Sequence, residues 1–132
     1  MTRRYARELA LQTLYSVEVG HHTPADALEQ TLTGPSEAEH RVFVRELVYG
    51  TLEHASESDA LIAPLLHGWT LERLPTLDRL VLRMSVYELL HASDTPRAVV
   101  INEAVELAKK FSTEDSGRFV NGVLAAAGKV AP

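Results

Sequence analysis

Apolar side chains recur with helical spacing along nearly the whole 132-residue chain, and this periodicity restricts the fold class more than any other feature. In the first segment the apolar positions fall three or four residues apart, which places them on one face of a helix. These positions are Ala6, Leu9, Ala10, Thr13, Leu14 and Val17. The segment 98–101 is the best candidate for a strand, but it is too short to outweigh the helical pattern that follows it. The sequence therefore predicts an all-α protein of about seven helices with short connections.

Local signals predict where several helices begin. Thr23 suits the N-cap of a second helix, and Pro24 suits its first turn. Residues 36–39 have the spacing of a capping box, with an acid three residues after a serine, and they predict a following helix with Val42 and Phe43 facing inward. The break at residues 68–75 is a candidate boundary within the chain.

Composition narrows the class of protein. The chain is 45% hydrophobic and 23% charged, as expected of a globular protein, and it has no cysteine for a disulfide or a thiolate metal site. No stretch approaches the ~20 apolar residues of a membrane span, and the N-terminal residues do not have the pattern of a signal peptide. We therefore expect a cytoplasmic protein that does not bind membranes.

Charge is distributed unevenly. The net charge is −5, which disfavours attraction of nucleic acid to the protein as a whole. Residues 1–15 nevertheless carry a net +2, whereas residues 16–60 carry −7 and residues 61–132 are balanced. A local basic patch can hold a phosphate backbone even on an acidic protein.

The basic patch consists of Arg3, Arg4 and Arg7, which are neighbours on one turn of the first helix. Like charges at this spacing repel, and the helix dipole disfavours cations at the N-terminal end. Arginine forks match phosphate oxygens, so one interpretation is a phosphate clamp. The other interpretation is a solvated run of surface charge.

Tyr15 is predicted on the outer side of the same helix, in line with Arg4 and Leu11. An exposed ring beside arginines could stack on an unpaired base. A ring half-packed on the second helix is the alternative interpretation.

The last helix presents two further features. Val120 begins its inward stripe, so Phe119 points about 100° away and is a candidate anchor for a partner protein. Gly122 interrupts the helix, and close packing against another helix is the favoured explanation for it.

The sequence lacks the common motifs that indicate catalysis. The chain has no glycine-rich phosphate loop, no His-Glu-x-x-His sequence and no nucleophile elbow. Its six histidines look scattered, and acidic residues such as Glu57 and Asp59 suit helix caps. We predict a protein that is not an enzyme, with no catalytic residues, no cofactor and no metal site.

Three stretches of this sequence resemble the NusB family of transcription antitermination factors. They are RRYARELALQTLY at residues 3–15, LDRLVLRMSVYELL at residues 77–90, and residues 96–124, which include VINEAVELAKKF and FVNGVL. The register holds from residue 3 to about residue 129. The resemblance implies one domain, residues 1–132, made of two small packed helical bundles with subdomains of about 1–69 and 70–132.

The family resemblance also implies a function. It implies binding of boxA-type single-stranded RNA together with NusE, a ribosomal protein of the small subunit, in transcription elongation complexes that support transcription of ribosomal RNA. By position, the RNA-facing stretch corresponds to Arg3, Arg4, Arg7 and Tyr15. The surface that meets NusE and the adjoining RNA corresponds to Asp78, Asp115 and Phe119.

Two alternatives remain open from the sequence. The same helical domain resembles the N-terminal part of some ribosomal RNA cytosine methyltransferases, although 132 residues leave no room for a cofactor-binding sheet. The chain could instead be an interaction module that binds proteins and has no RNA binding of its own. A homodimer that buries the arginine–tyrosine face is a further hypothesis about its oligomeric state.

Overall fold

A computed structural model describes residues 3–92 and 94–130, except for the side chains of Ser36 and Ala38. The α-helices are α1 (Arg3–Glu18), α2 (Pro24–Thr31), α3 (Pro35–Ala38), α4 (Arg41–Glu53), α5 (Ala55–Ile62), α6 (Thr76–His91), α7 (Arg97–Phe111) and α8 (Glu114–Val130). Two 3₁₀ turns, Ala63–Leu65 and Leu71–Arg73, lie between α5 and α6. Within the described ranges seven α-helices have eight or more residues and no strand is present, which confirms the predicted all-α class.

The chain forms two compact units, residues 1–52 and residues 53–132. In the N-terminal unit α1 packs against α2, and in the C-terminal unit α6, α7 and α8 pack against one another. The sequence placed a subdomain boundary at about residues 69–70, which lies inside the C-terminal unit. Helix α5 belongs to the C-terminal unit, where it packs against α6 and α8.

Helix α1 is buried around most of its circumference in its middle turns. The predicted stripe is confirmed at Ala6, Leu9, Ala10, Thr13 and Leu14, all of which are buried. Leu11, predicted to face outward with Tyr15, is only 1% exposed, so that part of the prediction is wrong. Only the two ends of α1 and a narrow strip between them are available to a partner.

The predicted beginning of α2 is confirmed, because the Thr23 hydroxyl accepts a hydrogen bond from the Asp26 backbone N–H at 3.1 Å and Pro24 is the first helical residue. The capping box at residues 36–39 is not formed, since α3 begins earlier, after the N-cap Gly34. Val42 was predicted inward but is 72% exposed.

Helices α6 and α8 supply much of the core of the C-terminal unit. The predicted inward stripe of α8 is confirmed, because its four apolar members are buried: Val120, Val123, Leu124 and Ala127. In α6 the buried apolar residues lie on several faces, as expected of a central helix: Leu80, Val81, Leu82, Met84 and Val86. Across residues 3–92 and 94–130, no helix combines the length and hydropathy that crossing a bilayer requires.

Candidate functional site

The exposed strip of α1 carries the first candidate site. Arg3, Arg4, Gln12 and Tyr15 are exposed there, with Tyr15 at 41%; these four residues are called the α1 surface below. Arg4, Gln12 and Tyr15 follow one another at offsets of eight and three residues, so they lie on one side of the helix. Gln12 was not singled out from the sequence, although its spacing from Arg4 and Tyr15 could have identified it.

Arg7 does not belong to the α1 surface. It is only 3% exposed, and its guanidinium lies 5.5 Å from the centre of the Phe43 ring. The guanidinium of Arg3 approaches the same ring, at 4.5 Å. Phe43 of α4 therefore interacts with both arginines, and cation–π attraction of this kind is strengthened where water is excluded. The sequence could not reveal this contact because it joins two helices 36 or more positions apart.

The electrostatics of the α1 N-terminus disfavour its own arginines. The first turn of α1 contains no acidic residue, so no carboxylate within that turn compensates the positive end of the helix dipole there. Arg3 and Arg4 therefore strengthen a positive potential that the helix already produces. The N-terminal end of a helix and arginine side chains both suit an anion such as a phosphate.

The second candidate site is a groove of about 220 Å³ in the C-terminal unit. It is formed by the residues before and at the start of α6 and by the first turns of α8. Its lining residues are Trp69, Leu74, Pro75, Asp78, Thr113, Asp115, Ser116 and Phe119. The structure thus brings together Asp78, Asp115 and Phe119, the three positions that the family resemblance had indicated.

Asp78 provides a buried carboxylate in the wall of this groove. It is 5% exposed, and its Oδ2 accepts a hydrogen bond from the Ser116 hydroxyl at 3.0 Å. Ser116 is held in turn by Thr113, whose Oγ1 accepts the Ser116 backbone N–H at 3.0 Å. The other oxygen of Asp78, Oδ1, has no hydrogen-bond partner among the described residues. Oδ1 is also buried, so it is not accessible to a bound molecule in this conformation, and leaving it without a donor costs stability.

Aromatic rings border the same groove. Phe119 is half-buried, as its offset from the inward stripe of α8 predicted, and Asp115 is exposed and paired with Arg118. Trp69 is 55% exposed, and together with Phe119 it also lines an adjoining cavity of about 390 Å³. Sequence reasoning missed Trp69, although a lone tryptophan outside every helical stripe is a signal that could have been used.

Gly122 is not a close-packing position, contrary to the prediction. A Cβ atom built there would meet no other atom within 4 Å. The close approach occurs at Gly117 instead, where a Cβ atom would lie 2.5 Å from Cγ of Lys109 on α7. The glycine that α8 needs for packing is therefore one and a half turns earlier than expected.

Two of the histidines described as scattered are neighbours in the structure. His54, at the N-terminal end of α5, and His91, the last residue of α6, have ring centres 4.2 Å apart. Glu57 lies between them, and its hydrogen bond with His91 is the main cause that lowers the pKa of its carboxyl group. Among the described residues, this is the group whose atoms could hold a metal ion.

Comparison with known proteins gives consistent matches. The NusB family model matches residues 4–129. A transcription antitermination protein NusB from Symbiobacterium thermophilum is 48% identical, and the match covers 94% of this chain and 87% of that protein. The structure of T. maritima NusB superposes with a TM-score of 0.92 at 36% identity, covering 99% of this chain and 93% of that chain.

One further solved structure contains partners. It is a crystal structure of the antitermination factors NusB and NusE in complex with double-stranded RNA. The matching chain has a TM-score of 0.84 and 29% identity, and the match covers 96% of each chain.

Proposed function

Because this chain belongs to the NusB family, we propose that it is a transcription antitermination factor that binds boxA-type RNA together with NusE. In this role it acts in the cytoplasm, within the transcription elongation complex, and supports transcription of ribosomal RNA. The observation that carries the proposal is the family match over residues 4–129. The proposed role is one of binding and assembly and requires no catalytic step.

RNA is proposed to bind along the α1 surface. The guanidinium groups of Arg3 and Arg4 would contact phosphates, and the exposed ring of Tyr15 would stack on a base. Arg4 and Tyr15 are 11 residues apart, which corresponds to about 16 Å along the helix axis. The RNA would therefore follow α1 for about three turns, passing Gln12. A single strand suits this arrangement better than a duplex, because stacking on Tyr15 requires an unpaired base.

Arg7 has a supporting role in this proposal. Its burial against Phe43 keeps it from serving as an independent phosphate contact. Phe43 also lies under the guanidinium of Arg3. We therefore assign Arg7 to holding Phe43 in position, so that Arg3 is presented at the start of the α1 surface.

NusE is proposed to bind at the groove of the C-terminal unit. An apolar side chain of NusE would fill the space between Trp69 and Phe119, since a few residues carry most of the binding energy of an interface and aromatic side chains are enriched among them. Asp78 would support the wall of the groove through its hydrogen bond with Ser116, because its Oδ1 is too buried to contact NusE directly. The exposed Asp115–Arg118 pair would lie at the rim.

The RNA proposal is tested by fluorescence anisotropy with labelled boxA RNA, with and without NusE. Changing both Arg3 and Arg4 to Ala should weaken binding, and the control Lys109→Ala with Lys129→Ala removes two positive charges from the C-terminal unit. Each single arginine variant is compared with Lys129→Ala, which removes one charge. A single-stranded boxA probe should bind more tightly than the same sequence in a duplex. If the double arginine variant and the double lysine control bind boxA RNA equally well, the proposed RNA surface is wrong.

The same titrations distinguish the proposed RNA-binding function from the alternative function. An interaction module without RNA binding would capture NusE and leave the anisotropy of boxA RNA unchanged in every mixture.

Light scattering tests the homodimer hypothesis. A mass that falls from two chains to one when boxA RNA is added would support a dimer that covers the α1 surface. A constant mass of one chain would reject it.

A further inference from the structure

His54, Glu57 and His91 form a compact group of metal-ligating side chains that neither the RNA nor the NusE proposal uses. Each residue offers one ligand atom, and these atoms all lie within 4.8 Å of one another. Nε2 of His91 is 2.7 Å from Oε1 of Glu57, and Nδ1 of His54 is 3.4 Å from the same oxygen. All three side chains are partly exposed, at 33% to 51%, so an ion can reach them from solvent.

We propose that His54, Glu57 and His91 bind one divalent transition-metal ion, with Zn²⁺ the preferred ion. Two imidazole nitrogens and one carboxylate oxygen form a ligand set that Zn²⁺ accepts, with water in the fourth position. Imidazole ligands disfavour Mg²⁺ and Ca²⁺, which prefer oxygen ligands. The proposal does not depend on the proposed antitermination function.

The two separations that involve Glu57 need little adjustment, and the ligand atoms of His54 and His91 lie within 4.8 Å of each other. In a tetrahedral zinc site with bonds of about 2.1 Å, neighbouring ligand atoms are about 3.4 Å apart. The separation of His54 and Glu57 already has this value. Glu57 and His91 would have to move apart by several tenths of an ångström, because a direct hydrogen bond now joins them. The metal takes the place of a proton on Nε2 of His91: an imidazolium ring releases that proton to solvent, whereas a neutral ring carries its proton on Nδ1 instead.

Neighbouring contacts hold the ligands in place. The ring of Tyr87, one turn before His91 on α6, stacks on His91 with centres 5.3 Å apart and on His54 at 5.6 Å. Nearby, Arg83 of α6 makes a two-point bridge to Asp59 of α5, at 2.7 and 2.8 Å. The Tyr87–His54 contact and the Arg83–Asp59 bridge both connect α5 or its N-cap with α6. The site would therefore need little ordering when the ion binds.

The helix dipoles neither strongly favour nor strongly oppose a cation here. His91 is the last residue of α6, where the carbonyl end of the helix attracts positive charge. His54 and Glu57 lie at the N-terminal end of α5, where the dipole has the opposite effect. These two terms act against each other, so the ligand atoms themselves decide the affinity.

The test uses full-length protein without a histidine tag, first treated with a chelator and then titrated with Zn²⁺ in a calorimeter. We expect one Zn²⁺ per chain, no comparable binding of Mg²⁺, and a higher melting temperature when Zn²⁺ is present. His91→Ala and His54→Ala should each lower the affinity for Zn²⁺ at least about tenfold, since losing even an outer-sphere partner of a metal ligand commonly has that effect. His67→Ala, which removes an exposed histidine of the same unit, should leave the affinity unchanged.

Glu57→Gln keeps the size of the side chain and covers the case in which a histidine variant does not fold. It should lower the affinity for Zn²⁺ while the circular dichroism spectrum stays that of the original protein. The absorption spectrum of bound Co²⁺ gives a second readout, with the strong visible bands of tetrahedral cobalt. The proposal is overturned if the original protein binds no Zn²⁺, if Mg²⁺ binds equally well, or if the three ligand variants bind Zn²⁺ like the original.

Discussion

The two candidate sites differ in the side chains that form them and in how those side chains are packed. In the N-terminal unit the α1 surface consists of charged and polar side chains that project from one helix. In the C-terminal unit the groove is a packed feature, in which the first turns of α8 and the start of α6 enclose apolar rings and one buried carboxylate. A surface of the first kind attracts its ligand over a distance, whereas a groove of the second kind recognises shape at contact.

Because the sites differ in this way, binding at each should respond differently to salt and to substitutions. Binding at the α1 surface should weaken steadily with salt, because each phosphate contact releases counterions. Binding at the groove should depend on filling the space between Trp69 and Phe119 and should respond little to salt. The two sites can therefore be distinguished by variants and ionic strength.

The largest effect is expected at the groove. Phe119→Ala and Trp69→Ala should each weaken NusE binding by about 30-fold or more, which corresponds to at least about 2 kcal/mol for an aromatic residue at the centre of an interface. Binding of boxA RNA by the chain alone should not change. Calorimetry with NusE measures the first effect and anisotropy the second.

A matched control for the groove variants is Val99→Ala on α7. Val99 is an apolar residue at 44% exposure and does not line the groove. It should leave NusE affinity within about twofold, as expected of a surface substitution away from the interface. Equal losses for Val99→Ala and Phe119→Ala would mean that the groove is not the binding site.

A variant of Arg7 tests whether a buried contact, that of Arg7 with Phe43, also contributes to the N-terminal unit. Arg7→Met keeps a long apolar stem but removes the guanidinium above Phe43, and it should lower the free energy of unfolding by about 1–2 kcal/mol. Urea denaturation followed by circular dichroism measures this change. If Arg7→Met is as stable as the original chain, the contact with Phe43 contributes nothing and the assignment of Arg7 to a supporting role fails.

The salt dependence of RNA binding sharpens the comparison further. Changing Arg3 and Arg4 to Ala should make the plot of log affinity against log salt shallower by about 1.4, from two phosphates at about 0.7 each for a single strand. Over a fourfold rise in salt, this difference amounts to about sevenfold in affinity. Phe119→Ala should give the slope of the original chain, and an equal change of slope in both variants would contradict the division into two kinds of site.

Much of the fold could be predicted from the sequence because helical periodicity is a local property. The stripes of α1 and α8 were correct, and the strand at residues 98–101 was correctly rejected. Two local signals failed, the capping box at residues 36–39 and the inward position of Val42, whereas the burial of Leu11 depends on packing against other segments. Leu11 was predicted to be exposed and is buried, whereas Val42 was predicted to be buried and is exposed. Periodicity identifies one apolar face of a helix and does not reveal which further faces are covered.

The same distinction between local features and contacts between helices applies to the candidate sites. Arg3, Arg4 and Tyr15 could be identified because charge and exposure on one helix can be read locally. The burial of Arg7 could not, since it depends on Phe43 in another helix. Asp78 and Asp115 were indicated only by the family resemblance, and the groove that brings them together with Trp69 forms only after α6 and α8 have packed.

Gly122 gives the smallest expected effect and tests whether NusE extends beyond the groove. It lies in the interior of α8 with open space around its Cα atom, so Gly122→Ala should raise the free energy of unfolding by about 0.5–1 kcal/mol. Gly117→Ala should lower it, because the new methyl group would collide with Lys109.

Gly122 lines the adjoining cavity but not the groove that contains Asp78. If Gly122→Ala stabilises the chain and leaves NusE affinity unchanged, the partner is confined to the groove. A loss of affinity in this more stable variant would mean that NusE also occupies the adjoining cavity, because the added methyl group would then meet the partner rather than the fold.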